Sequence, residues 1–401
     1  MNPTVPTSET SGTSAGALHL EASANSMGDG LPDCPHPFPL SQSDWEKGTS
    51  RGSRRYMRLK QFWLAGSARC LFIPLAVALL ILIGYNVLIN RTAQTSQRRQ
   101  LLARLDRIPL STDCLFLGNS IVEAGCDADT FKSAWPTNSV QPINLALGAT
   151  SPVEHYLILK HALERPLHPK YLIYGFFDDQ LNAPVHGDLP DLVGNRAFSY
   201  YFPDDAAALY SPGSWFKKYQ MRILGHVPMF AERSSLWGKV ELLRRRFEEI
   251  GMPKQKTNRY GRVEDFAALE AKDVPAFNQR CQAVVNGQQG FSPPLREIIR
   301  LAREHGANVI LVEMPMPSKH RETFYASPRW LELRAYLQSL AKQERATYLA
   351  ASDWVPDDQD FEDVTHLNEA GAKHFSVRLA TAIAQIPARK TEVASEKARE
   401  R

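Results

Sequence analysis

The sequence predicts an α/β protein with a parallel sheet, preceded by an N-terminal transmembrane helix. From residue 111 onward, short apolar segments alternate with longer segments that have helical spacing. Near-continuous apolar strands that alternate with helices are typical of parallel sheets covered on both faces. Nearer the N-terminus, residues 70–89 form an apolar run of twenty residues without a charge. This run is long enough to cross a lipid bilayer as a helix.

The composition allows one sizeable domain with appendages and argues against two classes of ligand. The chain has 401 residues, of which 43% are hydrophobic. Its net charge is only +4, so no nucleic-acid partner is expected. The five cysteines contain no CxxC pair, and no HExxH is present. We therefore predict no metal site and no other cofactor.

The N-terminal region is interpreted as a tail followed by an uncleaved membrane anchor. Residues 1–66 are predicted to be a disordered cytoplasmic tail, because the first fifty are rich in Ser, Thr, Gly and Pro and lack an apolar period. Residues 67–90 are assigned to a transmembrane helix, since soluble core helices are rarely apolar on every face. A signal peptide would have to begin at Met57, and no small-residue cleavage site follows it.

The predicted strands are short apolar runs, and the helices between them are longer segments with helical spacing. In chain order the strands are expected over 114–117, 143–147, 171–177, 308–313 and 347–350. Helices are expected over 153–163, 294–305, 328–344 and 367–386. The order of these elements predicts a sheet with helices on both faces, and ligands bind at the carboxyl ends of the strands in such sheets.

The α/β domain is expected to span residues 111–388. A polar linker is predicted before it, over 91–110, and a charged disordered tail after it, over 389–401. The alternation of strands and helices is interrupted between 181 and 291, where aromatic residues precede a helical, basic stretch. We interpret this stretch as an insertion packed over the strand ends, where it would shape a substrate site; an ordinary cap with its own small core is an equal alternative.

Ser120, Asp363 and His366 are the residue types of a nucleophilic acyl-transfer site. Ser120, Gly148 and Asp178 each follow a predicted strand, so they are expected to gather at one edge of the sheet. Asp363 precedes His366 by three positions, so its carboxylate can reach the ring nitrogen that faces away from Ser120. The structural alternatives are that Ser120 and Asp363 cap helices and that Gly148 serves a turn.

These residues, taken in order, resemble the SGNH, or GDSL-type, hydrolase family. Gly118-Asn119-Ser120 matches the block that carries the nucleophile, and Asp363 to His366 matches the last block. The run from Asn144 to Gly148 resembles the block whose glycine N–H helps to form the oxyanion hole. The resemblance covers roughly residues 111–180 and 305–385. It implies a flavodoxin-like three-layer α/β/α sandwich, with Ser120 as nucleophile, His366 as base, Asp363 as its orienting carboxylate, and an oxyanion hole formed by the N–H groups of Ser120 and Gly148.

One position departs from the family pattern. The third block of the family is Gly-x-Asn-Asp, whose asparagine donates to the oxyanion, and Phe177 stands at that position here. Because a phenyl ring has no such donor, either Asn182 or another group replaces it, or the hole has two backbone donors. Asn119, Asp178 and Asn182 are retained as residues with a substrate or loop role.

The resemblance implies a membrane-anchored serine esterase or O-acyltransferase with an extracytoplasmic domain, in the periplasm or at the cell surface if the source is bacterial. The expected substrate is an acylated carbohydrate, or another ester, of a cell-envelope or extracellular polysaccharide. Partners would be the lipid bilayer and a membrane-bound O-acyltransferase. The alternative is a catalytically inactive SGNH-fold protein that binds glycan or scaffolds a membrane complex, which Phe177 favours. Hydrolysis of lipid esters is a third possibility.

Overall fold

The computed structural model describes residues 51–137, 139–183, 194–233, 239–240, 243–244, 247 and 273–386. The chain divides into two compact units, 1–74 and 75–401, and the predicted α/β domain lies in the second. The tail predicted for 1–50 and the tail predicted for 389–401 lie outside the described residues.

The first helix, α1 (Arg51–Ala93), is longer than the predicted transmembrane helix. It includes 51–66, which we expected to be disordered, because this stretch contains good helix formers such as Arg, Leu, Lys and Gln. Within α1, the segment Phe72–Ala93 contains an 18-residue stretch with a mean hydropathy of 2.5, of which 6% is buried. By length and composition this segment could cross a membrane.

The predicted linker is wrong, because residues 97–105 form a second helix, α2 (Gln97–Leu105). Leu101, Leu105 and Ile108 are buried in the core of the domain. Arg98 is buried as well, because its guanidinium donates to the Glu232 carboxylate at 2.7 Å. This stretch is therefore part of the domain rather than a tether to it.

The described residues contain a five-stranded, fully parallel sheet with the order β2-β1-β3-β4-β5. This is the flavodoxin-like order. The strands are buried apolar runs, apart from the half-buried edge strands β2 and β5. Their bounds are β1 Cys114–Leu117, β2 Pro142–Asn144, β3 Tyr171–Phe176, β4 Asn308–Glu313 and β5 Thr347–Ala350.

Helices cover both faces of this sheet, which completes the predicted α/β/α sandwich. The helices after α2 are α3 (Ser120–Gly125), α4 (Ala128–Ala134), α5 (Pro152–Leu163), α6 (Pro203–Tyr210), α7 (Trp215–His226), α8 (Pro228–Ala231), α9 (Asp273–Asn286), α10 (Pro293–Glu304), α11 (Ser318–His320), α12 (Pro328–Gln343) and α13 (Glu369–Ala384). The chain reverses its direction across the sheet after β2, so right-handed crossovers place α4 and α5 on opposite faces. Accordingly α13 packs against α3 and α4, whereas α5 packs against α10.

The described part of the insertion packs on the sheet domain and has no separate core. Phe198, Tyr200 and Tyr210 belong to the same buried cluster as the strands. Glu154 of α5, which is fully buried, accepts hydrogen bonds from Ser199 and Tyr210. The insertion also reaches a strand end, because the Asn195 side chain donates to the Gly148 carbonyl at 2.8 Å.

Candidate active site

Two glycines, Gly118 directly after β1 and Gly175 on β3, allow α3 to pack tightly where β1 ends. A Cβ at Gly118 would lie 2.4 Å from Val122 Cγ2, and a Cβ at Gly175 would lie 2.3 Å from the same atom. Gly118 also has a φ of +157°. Val122 therefore fits into a notch that side chains would fill, and this contact fixes Ser120, the first residue of α3, above the strand end.

Ser120, His366 and Asp363 form one continuous hydrogen-bonded chain. Ser120 Oγ and His366 Nε2 are 2.9 Å apart, although 246 positions separate the residues in the sequence. His366 Nδ1 lies 2.8 Å from Asp363 Oδ2 and 2.9 Å from Oδ1. Asp363 and His366 are almost fully buried, and Ser120 is half-buried. The three side chains thus have the relative arrangement of a Ser-His-Asp triad.

The Asp363 carboxylate is held in its charged form by the turn that leads to His366. Burial raises the pKa of this carboxyl, but hydrogen bonds from His366 and Thr365 outweigh burial and hold the pKa well below its usual value. The backbone N–H groups of Thr365 and His366 both donate to Oδ1 at 2.8 Å. The capping alternative for Asp363 fails, because α13 begins at Glu369 and Asn368 caps it.

The Gly148 N–H, predicted as an oxyanion donor, is occupied. It donates to Glu123 Oε2 at 2.8 Å. A Cβ at Gly148 would lie 3.5 Å from Ser120 Cβ, so Gly148 is beside the nucleophile as expected. Sequence reasoning missed Glu123; the available signal was its position three residues after Ser120, on the same side of a helix.

The loop that carries Gly148 is fixed by a buried histidine on α5. Thr150 Oγ1 donates to the Leu147 carbonyl and lies 2.9 Å from His155 Nε2. His155 Nδ1 lies 3.0 Å from the Tyr174 hydroxyl on β3. Because the Thr150 hydroxyl proton is donated to Leu147, its oxygen can only accept from His155, so we assign the His155 proton to Nε2. Burial lowers the pKa of His155 to about 3, so this ring is neutral and structural.

Gln180 stands near the position that Phe177 leaves without a donor. Phe177 packs against the hydrophobic core. Gln180 Oε1 accepts from Asn119 Nδ2 and from the Phe177 N–H, both at 3.4 Å. Asn119 also caps α3, because its Oδ1 accepts from the Ile121 N–H at 3.1 Å. Sequence reasoning did not select Gln180, although it lies on the loop directly after β3.

The other two residues singled out from the sequence point away from the triad. Asn182 donates to the Gln289 and Gly290 carbonyls, so it has a loop role and does not replace the missing donor. Asp178 has a φ of +49°, and its Oδ1 accepts from Tyr325 at 2.9 Å and lies 3.0 Å from His320 Nε2. Asp178 thereby ties the loop after β3 to the turn after β4.

The described residues contain no group of three or more His, Cys, Asp or Glu side chains that could hold a metal ion. The acyl-transfer chemistry of a serine triad needs no metal, since the imidazole moves the proton and backbone N–H groups stabilise the anion.

Comparison with known proteins gives a weak likeness only. No family model matches the chain, and no curated protein matches it. Among solved structures, a GDSL-like lipase from Bacteroides thetaiotaomicron is 11% identical with a TM-score of 0.34, over 73% of this chain and 98% of that chain. A predicted acylhydrolase from Bacteroides fragilis is 10% identical with a TM-score of 0.30, over 68% and 88%. A predicted arylesterase from Agrobacterium tumefaciens is 11% identical with a TM-score of 0.31, over 69% and 100%.

At these identities and TM-scores the likeness carries no conclusion about the activity of this chain. The α/β architecture rests on the strand order and register of the sheet itself. The chemistry rests on the distances among Ser120, His366 and Asp363.

Proposed function

We propose that this chain is a membrane-anchored serine esterase or O-acyltransferase of the SGNH type. The observation that carries the proposal is the 2.9 Å contact between Ser120 Oγ and His366 Nε2, with Asp363 on the opposite ring nitrogen. A buried carboxylate that holds a histidine against a half-exposed serine, at the carboxyl edge of a parallel sheet, is the arrangement that nucleophilic acyl transfer requires.

In the first half of the reaction, Ser120 Oγ attacks the carbonyl carbon of an ester while His366 Nε2 takes its proton. Asp363 stabilises the imidazolium that results, because it accepts the hydrogen bond from Nδ1. The tetrahedral intermediate then expels the alcohol, which takes the proton from His366. Ser120 is left as an acyl ester.

In the second half, a hydroxyl compound attacks the acyl group and His366 again acts as base and then as acid. Water as acceptor gives an esterase, and a sugar hydroxyl gives a transferase. The residues of the site do not indicate whether the acceptor is water or a sugar hydroxyl. We propose an acylated carbohydrate of the cell envelope, with a membrane-bound O-acyltransferase as partner, on the family resemblance of the three sequence blocks.

Stabilisation of the oxyanion is where this site departs from an ordinary hydrolase. Ser120 is the first residue of α3, where backbone N–H groups have no acceptor within the helix. Gly148 lies beside Ser120, but its N–H is bonded to Glu123, so this carboxylate has to move before Gly148 can donate to substrate. One such donor is worth roughly 3–4 kcal/mol of barrier. Gln180 is our candidate for the donor that Phe177 lacks.

Membrane attachment is assigned to the apolar segment Phe72–Ala93 of α1, whose side chains are largely exposed. The predicted orientation, with the α/β domain outside the cytoplasm, rests on the slight excess of cationic residues before the segment.

The test is fluorophosphonate labelling of the full-length chain in detergent, with the modified residue mapped by peptide mass. We expect one label, on Ser120, that is lost in Ser120→Ala and in His366→Ala. Ser339→Ala and His374→Ala are matched controls, because both side chains are exposed and neither contacts the triad. Absence of label on a folded wild-type chain would contradict an activated serine and favour the glycan-binding alternative.

A further inference from the structure

Helix α7 presents a row of large apolar side chains to solvent. Trp215 is 78% exposed, and Phe216, Tyr219 and Ile223 are exposed as well. Positions 215, 219 and 223 recur every four residues, so they lie along one side of the helix. Met221, on the opposite side, is fully buried. Single exposed apolar residues are common, but a contiguous row marks an interaction surface.

The C-terminal end of α7 lies beside the apolar segment of α1. Only Val227 separates α7 from α8, and the Met229 N–H of α8 donates to Asn86 Oδ1 at 3.0 Å. Phe230 of α8 is exposed next to this contact. The exposed surface therefore begins at α1 and continues through α8 to α7.

The last turns of α1 belong to the folded domain. Ile89 and Ala93 are fully buried, whereas the large apolar side chains from Phe72 to Leu88 are exposed. A transmembrane helix needs about twenty apolar residues, and the uncharged apolar run covers 70–89, so a bilayer over this run ends within one turn of Asn86. The contact between α8 and α1 therefore lies at the membrane surface.

The residue types on α7 fit a lipid headgroup region. Trp and Tyr are enriched at the boundary between hydrocarbon and water. Lys218 and Arg222 flank the apolar row and are exposed; both also contact Asp204, at 3.6 and 2.5 Å. Basic side chains beside an aromatic face are typical of helices that lie in the plane of a membrane.

We propose that the exposed face of α7 lies in the interfacial region of the bilayer that α1 spans, so that the domain docks on the membrane surface. The inference rests on the membrane anchorage proposed above and goes beyond it, because an anchor alone would leave the domain free to move away from the lipid. Lipid is the occupant because the face is continuous with the transmembrane segment.

The test uses the full-length chain reconstituted in phosphatidylcholine and phosphatidylglycerol vesicles, with and without lipids brominated near the headgroup. The emission of Trp215 is obtained as the difference between wild type and Trp215→Phe. We expect brominated lipid to quench this emission roughly twofold, since interfacial helices bury their apolar face by about 5–10 Å. The matched difference for Trp354→Phe, a half-buried residue after β5, should not change. Equal Trp215 emission in both lipids would overturn the proposal.

Two further measurements on the same vesicles separate failure of docking from failure of the proposed function. A chain that alkaline carbonate removes from the vesicles overturns the anchorage. A chain that stays in the vesicles but shows no Trp215 quenching overturns the docking alone. Cross-linking between two copies through α7 would identify a dimer face and also overturn it. The variant Phe216→Ser with Tyr219→Ser keeps Trp215, and it should lose the quenching of Trp215 emission and keep fluorophosphonate labelling in detergent.

Discussion

Removal of the Glu123 carboxylate is expected to accelerate acyl-enzyme formation. Glu123 accepts the hydrogen bond of the Gly148 N–H at 2.8 Å, and Gly148 lies beside Ser120. As long as this bond persists, the second oxyanion donor is unavailable to a substrate carbonyl. Glu123→Ala removes the competing acceptor and leaves Ser120, His366 and Asp363 unchanged.

The size of the effect follows from the hydrogen bond that substrate has to displace. A hydrogen bond from a backbone N–H to a carboxylate is worth about 1.5–3 kcal/mol. Each 1.4 kcal/mol changes a rate about tenfold, so Glu123→Ala should raise the rate by roughly tenfold to a hundredfold. Glu123→Gln keeps an acceptor oxygen without the charge and should give a smaller rise.

The assay is the rate of fluorophosphonate reaction with Ser120, together with hydrolysis of p-nitrophenyl acetate, in detergent. Glu332→Ala is the matched control, because it removes an exposed carboxylate on α12. The unfolding temperature is measured alongside, so that a loss of folded protein is recognised. A folded Glu123→Ala chain that reacts more slowly than wild type would refute the reasoning, since Glu123 would then support the nucleophile instead of obstructing the hole.

Three further predictions concern the rest of the site and its support. Gln180→Glu keeps the acceptor oxygen but has no N–H donor, so it should slow acyl-enzyme formation about a hundredfold; an unchanged rate excludes the donor role. Burial lowers the pKa of His155 to about 3, against about 6.5 in an unfolded chain. As the pH falls, His155 is therefore protonated in the unfolded chain before it is protonated in the folded chain. The free energy of unfolding should fall by up to about 1.4 kcal/mol per pH unit below pH 6.5. Urea titrations of wild type and His155→Gln measure this slope. Glu232→Gln leaves Arg98 buried without its charged partner and should cost about 3–5 kcal/mol in a thermal or urea unfolding experiment.

The strands could be predicted because each is a self-contained apolar run. β1, β4 and β5 have the predicted bounds, and the helices after β2, after β4 and at the C-terminus lie within two residues of expectation. β2 is shorter than predicted, at Pro142–Asn144, although the Leu145 and Leu147 N–H groups still bond to the β1 side at Phe116 and Gly118. Such a signal is local, because strands buried between two helical layers are near-continuous apolar runs.

The misassigned linker shows why a polar segment can still be structural. Leu101, Leu105 and Ile108 have helical spacing, but the charged residues around them outweigh this signal in a short window. Arg98 is tolerated in the interior because Glu232, 134 positions later, accepts its hydrogen bond. A buried charge that is paired across the fold leaves no local trace in the sequence.

The residues of the triad could be predicted from the sequence, whereas the contacts around the proposed oxyanion hole could not. Asp363 and His366 lie on one turn, and Ser120 follows an obvious strand, so spacing and order were enough to select them. The contact between Glu123 and Gly148 depends on β1 and β2 being neighbours in the sheet, and the contact between Gln180 and Asn119 depends on β1 and β3. Neither pairing could be read from the residues alone.

If the proposed function holds, a Ser-His-Asp arrangement beside a bonded Gly148 N–H favours an enzyme whose activity depends on a second event. The Gly148 carbonyl is held by Asn195, whose side chain also approaches Arg98 at 3.5 Å. Arg98 and Arg99 share the Glu232 carboxylate, and Arg99 bonds Asn90 at the end of α1. Hydrogen bonds therefore connect the C-terminal part of α1 to the loop that carries the Gly148 N–H. Contiguity alone is not coupling, but on the proposed anchorage it makes docking on the membrane, or a membrane partner, the event that would most directly free Gly148 from Glu123.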